Sequence, residues 1–231
     1  YLSKVIIKKK NKKVLEIGTG SGILSLVMAQ RDNQVLAVDI SERAVKLAKI
    51  NAILNGMSDR VEVIHSDLFE SVNDKFDLVV SNPPFLPISM DREYFFAGGG
   101  REGTEVIKKI ITSVGAYLNT KGEVYILGGG FGIDEKIFLF NDLKEYFIKK
   151  RCDVNVFILK KNRALNELRH LKHELGIIEI PKEDEYEKQY YYAFLVRLIY
   201  EGSGQSKIID CYFNKHDLLR MAKISKFEKF E

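Results

Sequence analysis

The sequence predicts an α/β fold, a doubly wound, mostly parallel sheet of seven strands followed by a C-terminal insertion and tail. Two observations carry this. Short apolar runs alternate with segments of helical period over roughly the first 130 residues, and repeated βα units of this length build parallel sheets with helices on both faces. The turn after the first run is Gly18-Thr19-Gly20-Ser21-Gly22, and the turn after the fourth is Asn82-Pro83-Pro84-Phe85. Ligands of such sheets lie at the carboxyl ends of the strands, so both turns fall where chemistry is expected.

The elements follow in order. Val14 to Ile17 is the first strand, and the glycine turn leads into a helix from Ile23 to Ala29. Gln34 to Val38 is the second strand, ending at Asp39. Ser41 caps the next helix, which carries Val45, Ala48 and Ala52 and stops at Asn55-Gly56. Val61 to Ile64 is the third strand, ending near Asp67, and Phe76 to Val80 the fourth. Val106, Ile107, Ile110, Ile111, Val114 and Leu118 recur at helical spacing before a fifth strand, Glu123 to Leu127. A helix from Asp134 to about Lys149 places Ile137, Phe140, Leu143 and Phe147 on one face, and Val154 to Leu159 and Tyr190 to Leu198 close the sheet.

The last two strands are separated by far more chain than a hairpin needs. Leu165, Leu168, Leu171 and Leu175 give a helix there, with Lys160, Lys161, Arg163, Arg169 and Lys172 around it. Its plain role is to cover a sheet edge; a substrate surface is the alternative. The expected organisation is one domain over 1–200, with a helical insertion at about 161–189, and a tail over 201–231 with a helix at Leu218, Leu219 and Met221.

Composition bounds the function. The 231 residues are 45% hydrophobic, enough for one core, and no apolar run approaches the length of a membrane span. Cys152 and Cys211 are too few and too distant for a disulfide framework or a four-ligand zinc site, which suits a cytoplasmic protein with reduced thiols. The four His residues lie in no ligand pattern, so no metal is expected. Net charge is +4, but Lys4, Lys8, Lys9, Lys10, Lys12 and Lys13 crowd the start, a solvated arm or a contact for a polyanion. The chain begins at Tyr1 rather than Met, which leaves room for an upstream segment.

The two turns define the chemistry. Asn82 offers a side-chain oxygen and Pro83 a backbone carbonyl, on a backbone that the prolines hold at φ of about −65° and extended geometry before each ring. Phe85 adds a flat wall. Two fixed acceptors beside a ring suit a planar –NH₂ group, which has two N–H donors to give. The glycine turn lets backbone approach a nucleotide-like ligand, and here two readings stand. A nicotinamide site also uses clustered glycines and an acid about twenty residues later, and Asp39 satisfies that. The closer third glycine, Gly22, and the second acid, Asp67, favour an adenosine held without a pyrophosphate: Asp67 accepts from the adenine amine while the Leu68 N–H donates. The plain alternative for Asp67 is a helix N-cap.

Over roughly residues 12–130 the chain resembles class I S-adenosylmethionine-dependent methyltransferases with a Rossmann-like sheet, in the branch whose Asn-Pro-Pro-Phe/Tyr motif methylates planar nitrogen. The resemblance implies that Glu16, Gly18, Thr19, Gly20 and Gly22 line the methionine part and that Asp39 binds the ribose hydroxyls. It implies that Asp67 and Leu68 hold the adenine, with Asn82 closing the pocket, and that Asn82, Pro83 and Phe85 take the target amine. Phe96-Ala97-Gly98-Gly99-Gly100-Arg101-Glu102-Gly103 is similar to the glycine-rich segment of HemK-type glutamine methyltransferases. That implies a protein glutamine as acceptor, for instance in a release factor, and allows a small activating partner protein. An adenine or guanine amine in rRNA, tRNA or DNA is the alternative, with the Lys-rich start and the insertion binding phosphate. Phe85 in place of the usual Tyr, the insertion and the tail depart from the compact glutamine pattern.

Overall fold

A computed structural model describes residues 2, 6, 8–87, 98–100, 102–134, 136–175, 186–202, 204 and 206–210. Strands β1 (Lys13–Ile17), β2 (Gln34–Asp39), β3 (Val61–His65) and β4 (Phe76–Ser81) alternate with helices α1 (Ile23–Ala29) and α2 (Glu42–Leu54). Helix α3 (Glu105–Val114) then leads to β5 (Leu118–Ile133). The short strand β6 (Lys136–Ile137) precedes α4 (Phe138–Asp142) and α5 (Lys144–Lys149). The chain continues through β7 (Asp153–Arg163), α6 (Ala164–Leu175), β8 (Tyr190–Ile199) and β9 (Ser206–Asp210).

All nine strands join one sheet, in the order β3-β2-β1-β4-β5-β8-β7-β9, with β6 beside β5. Strands β1 to β5 pair in parallel, β8 runs antiparallel to both β5 and β7, and β9 lies parallel to β7. The sheet is therefore mostly parallel as expected, and wider by β6 and β9. Helices cover both faces. Ile107, Ile110, Ile111 and Val114 of α3 pack with Leu15, Val79, Val124 and Phe194 on one. Met28 of α1 and Val45, Ala48 and Ala52 of α2 pack with Val35, Ala37 and Val80 on the other.

The local signals act where they were read. The Ser41 hydroxyl accepts the Ala44 N–H at the start of α2 (3.4 Å), and Asn55 ends that helix before Gly56, which takes φ +65°. Three elements differ from the sequence reading. Strand β5 does not stop at Leu127 but runs on through Gly128, Gly129 and Gly130. Asp134 then reverses the chain in the left-handed region, φ +46°. Lys136 and Ile137 fold back onto Ile133 and Gly132, so the expected helix over 134–149 becomes β6 and two short helices broken at Leu143. Ile137, Leu139, Leu143 and Phe147 are the buried positions, and Phe140 meets Phe194 edge-on at 5.1 Å.

The third difference is the tail over 201–231, expected to be helical with its helix at Leu218, Leu219 and Met221; ahead of that stretch Ser206–Asp210 forms strand β9 against Val154–Ile158. Its Ile208-Ile209 pair is β-branched and favours a strand. The expected tail helix at Leu218, Leu219 and Met221 lies outside the described residues. The insertion helix forms as α6, though β7 runs on to Arg163 before it begins; residues 176–185 of the insertion lie outside the description.

Because β1 opens at Lys13, the described part of the basic start, from Lys8 on, sits at the amino edge of the sheet, opposite the glycine turn. Part of it is used internally. The Lys9 ammonium donates to both oxygens of Glu123 (2.7 and 2.8 Å), and Oε2 also accepts from Arg197 Nε (3.1 Å) and the Tyr125 hydroxyl (2.8 Å). Lys13 pairs with Asp74 at 2.9 Å. Burial alone would raise the Glu123 carboxyl, but Lys9, Arg197 and Tyr125 together hold it down to about 2. A depressed carboxylate adds stability above its ordinary 4.5, which is lost as pH falls through that value toward about 2. That limb is on the order of 3 kcal/mol at most. Urea midpoints from pH 6 down to pH 3 should fall steeply in the native protein and less in Glu123→Gln; equal slopes would show that the cluster adds nothing.

A cleft built from three strand ends

The register of the central strands creates the site. Ile17 at the end of β1 pairs with Val38 of β2 and with Ser81 of β4, so three strands stop at one level. The chain must turn there, and the turns wall a cleft of about 550 Å³. Glu16, Gly18, Thr19 and Gly20 line it from β1, Asp39 from β2, Asp67 and Leu68 from beyond β3, and Asn82 and Pro83 from beyond β4. These expected site residues thus come together. Gly22 and Phe85 do not line the cleft. Gly22 caps α1 at φ +83°, with the Ala48 Cβ 3.1 Å from where its own Cβ would lie, so it seats α1 on α2.

Glu16 is fully buried because it sits on a central strand, and a charge there needs partners. Its Oε2 accepts from the Thr19 hydroxyl (2.8 Å) and from the Ser25 hydroxyl of α1. Burial outweighs these bonds and pushes the carboxyl up to about 7. Asp39 braces the glycine turn: Oδ2 accepts the Gly20 N–H (2.8 Å) and Oδ1 the Ser41 N–H (2.9 Å). The Val38 carbonyl takes the N–H groups of Gly18 and Thr19 (2.9 and 3.0 Å). The turn is thereby tied to β2 by three hydrogen bonds, from the N–H groups of Gly18, Thr19 and Gly20, and Asn51 of α2 adds a bond to the Ser21 carbonyl (2.8 Å).

Asp67 is exposed, and its carbonyl rather than its carboxylate accepts the Glu70 N–H (3.0 Å). Leu68 takes φ +48°, a costly conformation for a branched side chain, and packs its side chain on the core while lining the cleft. At the β4 end, the buried Ser81 hydroxyl bonds the Ile17 carbonyl (2.8 Å), which fixes the next residue, exposed Asn82, at the mouth. The glycine-rich segment docks on the same turn. Gly98 bridges Leu86, the Gly99 N–H donates to the Leu86 carbonyl (2.8 Å), and Gly103, at φ +76°, passes so close to the Phe85 carbonyl that a side chain there would overlap it. Phe96, Ala97 and Arg101 lie outside the described residues. The Phe85 ring is half-buried on the core, with its Cδ2 3.0 Å from where a Cβ on Gly129 would lie.

The sequence reading missed Val106, Lys109 and Ile110, which close the cleft from α3. Their spacing, three and four residues apart, is a helical-face signal, and the sequence shows Val106 and Ile110 only as part of that helix's apolar period. His65 bonds the Ile40 carbonyl at 2.8 Å, and His170 and His173 are exposed on α6. Among the described residues no group of three or more His, Cys, Asp or Glu could hold a metal, and no helix is long and apolar enough to cross a membrane.

Comparison with known proteins agrees with this geometry. Residues 1–148 match the methyltransferase small domain, and the chain belongs to that family of S-adenosylmethionine-dependent methyltransferases. A Methanocaldococcus jannaschii protein named as an N5-glutamine methyltransferase is 42% identical over 132 residues, covering 54% of this chain and 66% of that protein. The ribosomal protein uL3 glutamine methyltransferase of Neisseria gonorrhoeae is 35% identical over 165 residues, covering 66% of this chain and 55% of that one. The chain thus spans less than two thirds of the length of these relatives. Among solved structures, the E. cuniculi Mtq2–Trm112 complex superposes with a TM-score of 0.51 at 21% identity, over 86% of this chain and 92% of that one, a likeness of fold.

Glu16 gives a pH dependence opposite to that of Glu123. Its raised carboxyl is neutral when folded at pH values where the unfolded side chain has ionised, so stability falls as pH rises from 4.5 to about 7. The unliganded Glu16→Gln protein should lack this fall, gaining up to about 3 kcal/mol at pH 8 relative to its difference at pH 4. Denaturant titrations at the two pH values measure it; an unchanged pH dependence would mean that Glu16 is ionised in the folded state throughout.

Proposed function

We propose that the chain transfers a methyl group to the side-chain amide nitrogen of a glutamine in a protein. The observation that carries this reading is the single turn shared by Asn82-Pro83 and the docked Gly98–Gly103 segment, at the mouth of a cleft of cofactor size. An extended peptide lying along that glycine segment would bring a long side-chain amide to Asn82. Relatives named for glutamine methylation support the acceptor. The residues fit S-adenosylmethionine: a buried carboxyl group at Glu16, an acidic strand end at Asp39, and Asp67 beside Leu68, all lining the cleft. When bound, the cofactor supplies an electrophilic methyl group on a sulfonium.

The protein's part is orientation. An amide nitrogen is a poor nucleophile because its lone pair is delocalised into the carbonyl. Asn82 Oδ1 and the Pro83 carbonyl accept both N–H groups and turn the lone pair toward the reacting methyl. Such positioning can contribute as much as about 7–11 kcal/mol. The nitrogen loses its extra proton after the new bond forms, so no strong base is required at the acceptor. Glu16 and the glycine turn face the methionine part. Asp39, with both oxygens already held by backbone N–H groups, has lone pairs left for ribose hydroxyls. Asp67 and the Leu68 N–H read the adenine.

The nucleic-acid reading is the weaker one. Lys9, Lys13 and Lys160 are engaged by Glu123, Asp74 and Glu167, which leaves Lys8, Lys10 and Lys12 as the exposed part of the described basic start. Residues 161–189 hold six Lys or Arg against seven Asp or Glu, so the insertion is not a basic surface. A small activating partner would match the Mtq2–Trm112 assembly, and co-purification from cells tests it.

Two measurements check the reading. A peptide carrying Gly-Gly-Gln should gain one methyl on the glutamine amide, with a Michaelis constant nearly independent of salt between about 50 and 200 mM; label in RNA with steep salt dependence would overturn it. Asn82→Ala should leave cofactor affinity within a few-fold while lowering turnover about a hundredfold or more. Asp39→Ala should do the reverse, weakening cofactor binding by roughly 1–3 kcal/mol; calorimetry separates the two.

A further inference from the structure

Tyr191 stands on β8, 106 residues from Phe85 in sequence, yet its hydroxyl donates to the Phe85 carbonyl at 3.0 Å. That carbonyl belongs to the residue directly after Asn82-Pro83-Pro84. Gly103 also lies close to it, and its missing side chain leaves room for the oxygen. The carbonyl is therefore bonded by a strand of the closing sheet and packed against the docked glycine segment. The Tyr191 ring is itself fixed. It is buried, meets Phe131 edge-on at 5.4 Å, and packs in an apolar cluster with Ala164 and Leu168 of α6 and with Tyr186. Phe131 in turn contacts Tyr186 at 4.9 Å.

The insertion is anchored above this cluster by Glu167, which accepts from Asn162 (2.6 Å) and Lys160 (3.0 Å) at the end of β7. Burial, with the Glu167 charge nearby, raises the Tyr191 hydroxyl far above its ordinary value, so it stays protonated and remains a donor across the working pH range. Gly129 on the facing strand leaves the space the hydroxyl fills; a Cβ there would overlap it.

We propose that Tyr191 is a positioning residue for methyl transfer: its hydroxyl holds the Phe85 carbonyl and so sets the Asn82 and Pro83 oxygens, and the insertion serves the reaction by packing Tyr191 in place. This rests on the reading of Asn82 and Pro83 as the amide-binding pair. A prolyl backbone resists bending within the motif but does not fix the motif relative to the sheet. The Ser81 hydroxyl anchors the motif from before it, and at its far end the Tyr191 bond ties it to β8, next to the Gly99–Leu86 hydrogen bond to the glycine segment.

The test uses two variants that remove the contact from opposite partners. Tyr191→Phe keeps the ring and deletes the hydroxyl; Gly129→Ala keeps Tyr191 and fills its place. Each is assayed for methylation of the Gly-Gly-Gln peptide, for cofactor affinity, for melting temperature, and for amide hydrogen exchange at Phe85 and Leu86. The expected result for Tyr191→Phe is a turnover at least tenfold lower, cofactor affinity and peptide Michaelis constant within twofold, a melting temperature within a few degrees, and faster exchange at Phe85 and Leu86. Gly129→Ala should match it in turnover and exchange. Unchanged turnover in Tyr191→Phe would overturn the proposal, as would losses of melting temperature and cofactor affinity in step with turnover, which mark a general structural role. If the native protein does not methylate the peptide, the functional reading has failed on its own, and exchange still decides the contact: unchanged protection in Tyr191→Phe refutes it.

Discussion

The parallel register of β2, β1 and β4 is the constraint on which everything at the carboxyl edge depends. With Val38, Ile17 and Ser81 abreast, three turns leave the sheet from one line, and each must satisfy the backbone groups that a strand would have paired. The solution is mutual. Val38 receives two N–H groups from the glycine turn, Asp39 receives one from that turn and one from its own, and Ser81 reaches back to Ile17. Slipping any one strand by a residue would invert its side chains between the two core layers and undo all of these bonds together. The cleft is a by-product of satisfying the sheet's ends.

The first half of this plan was legible because local and tertiary demands agree there. Ser41 is a good cap and is used as one; Asn55-Gly56 is a good helix end and ends a helix. Glu16, Asp39 and Asp67 lie in, at the end of and just after their strands, and all three line the cleft. What could not be read was how Asp39 divides its oxygens, since its partners Gly20 and Ser41 offer only backbone N–H groups, which every residue has.

Beyond Leu127 local preference and packing disagree, and packing wins. Three successive glycines read as a loop by intrinsic preference, yet Gly128, Gly129 and Gly130 continue β5. The reason lies far away in sequence: Ile107 and Phe194 crowd Gly128, Tyr191 crowds Gly129, and Thr104 crowds Gly130. The segment after Asp134 was read as one helix because Ile137, Phe140, Leu143 and Phe147 have the right spacing; antiparallel pairing of Ile137 with Gly132 takes precedence over it. The tail strand β9 needed knowledge that β7 had a free edge, which no local pattern carries.

Those three glycines also shape how the gene can vary. The smallest coding change available to a glycine adds a methyl group, and at each of these positions the methyl would meet an atom already in place, alternately on the α3 side of the sheet and on the Tyr191 side. Compensation would require a simultaneous change in a partner on another element: Ile107 or Phe194 for the first, Tyr191 for the second, Thr104 for the third. Sequence drift in this strand is thereby coupled to drift in α3 and β8, and single substitutions are expected to be removed by selection even though no glycine here carries a chemical group to lose.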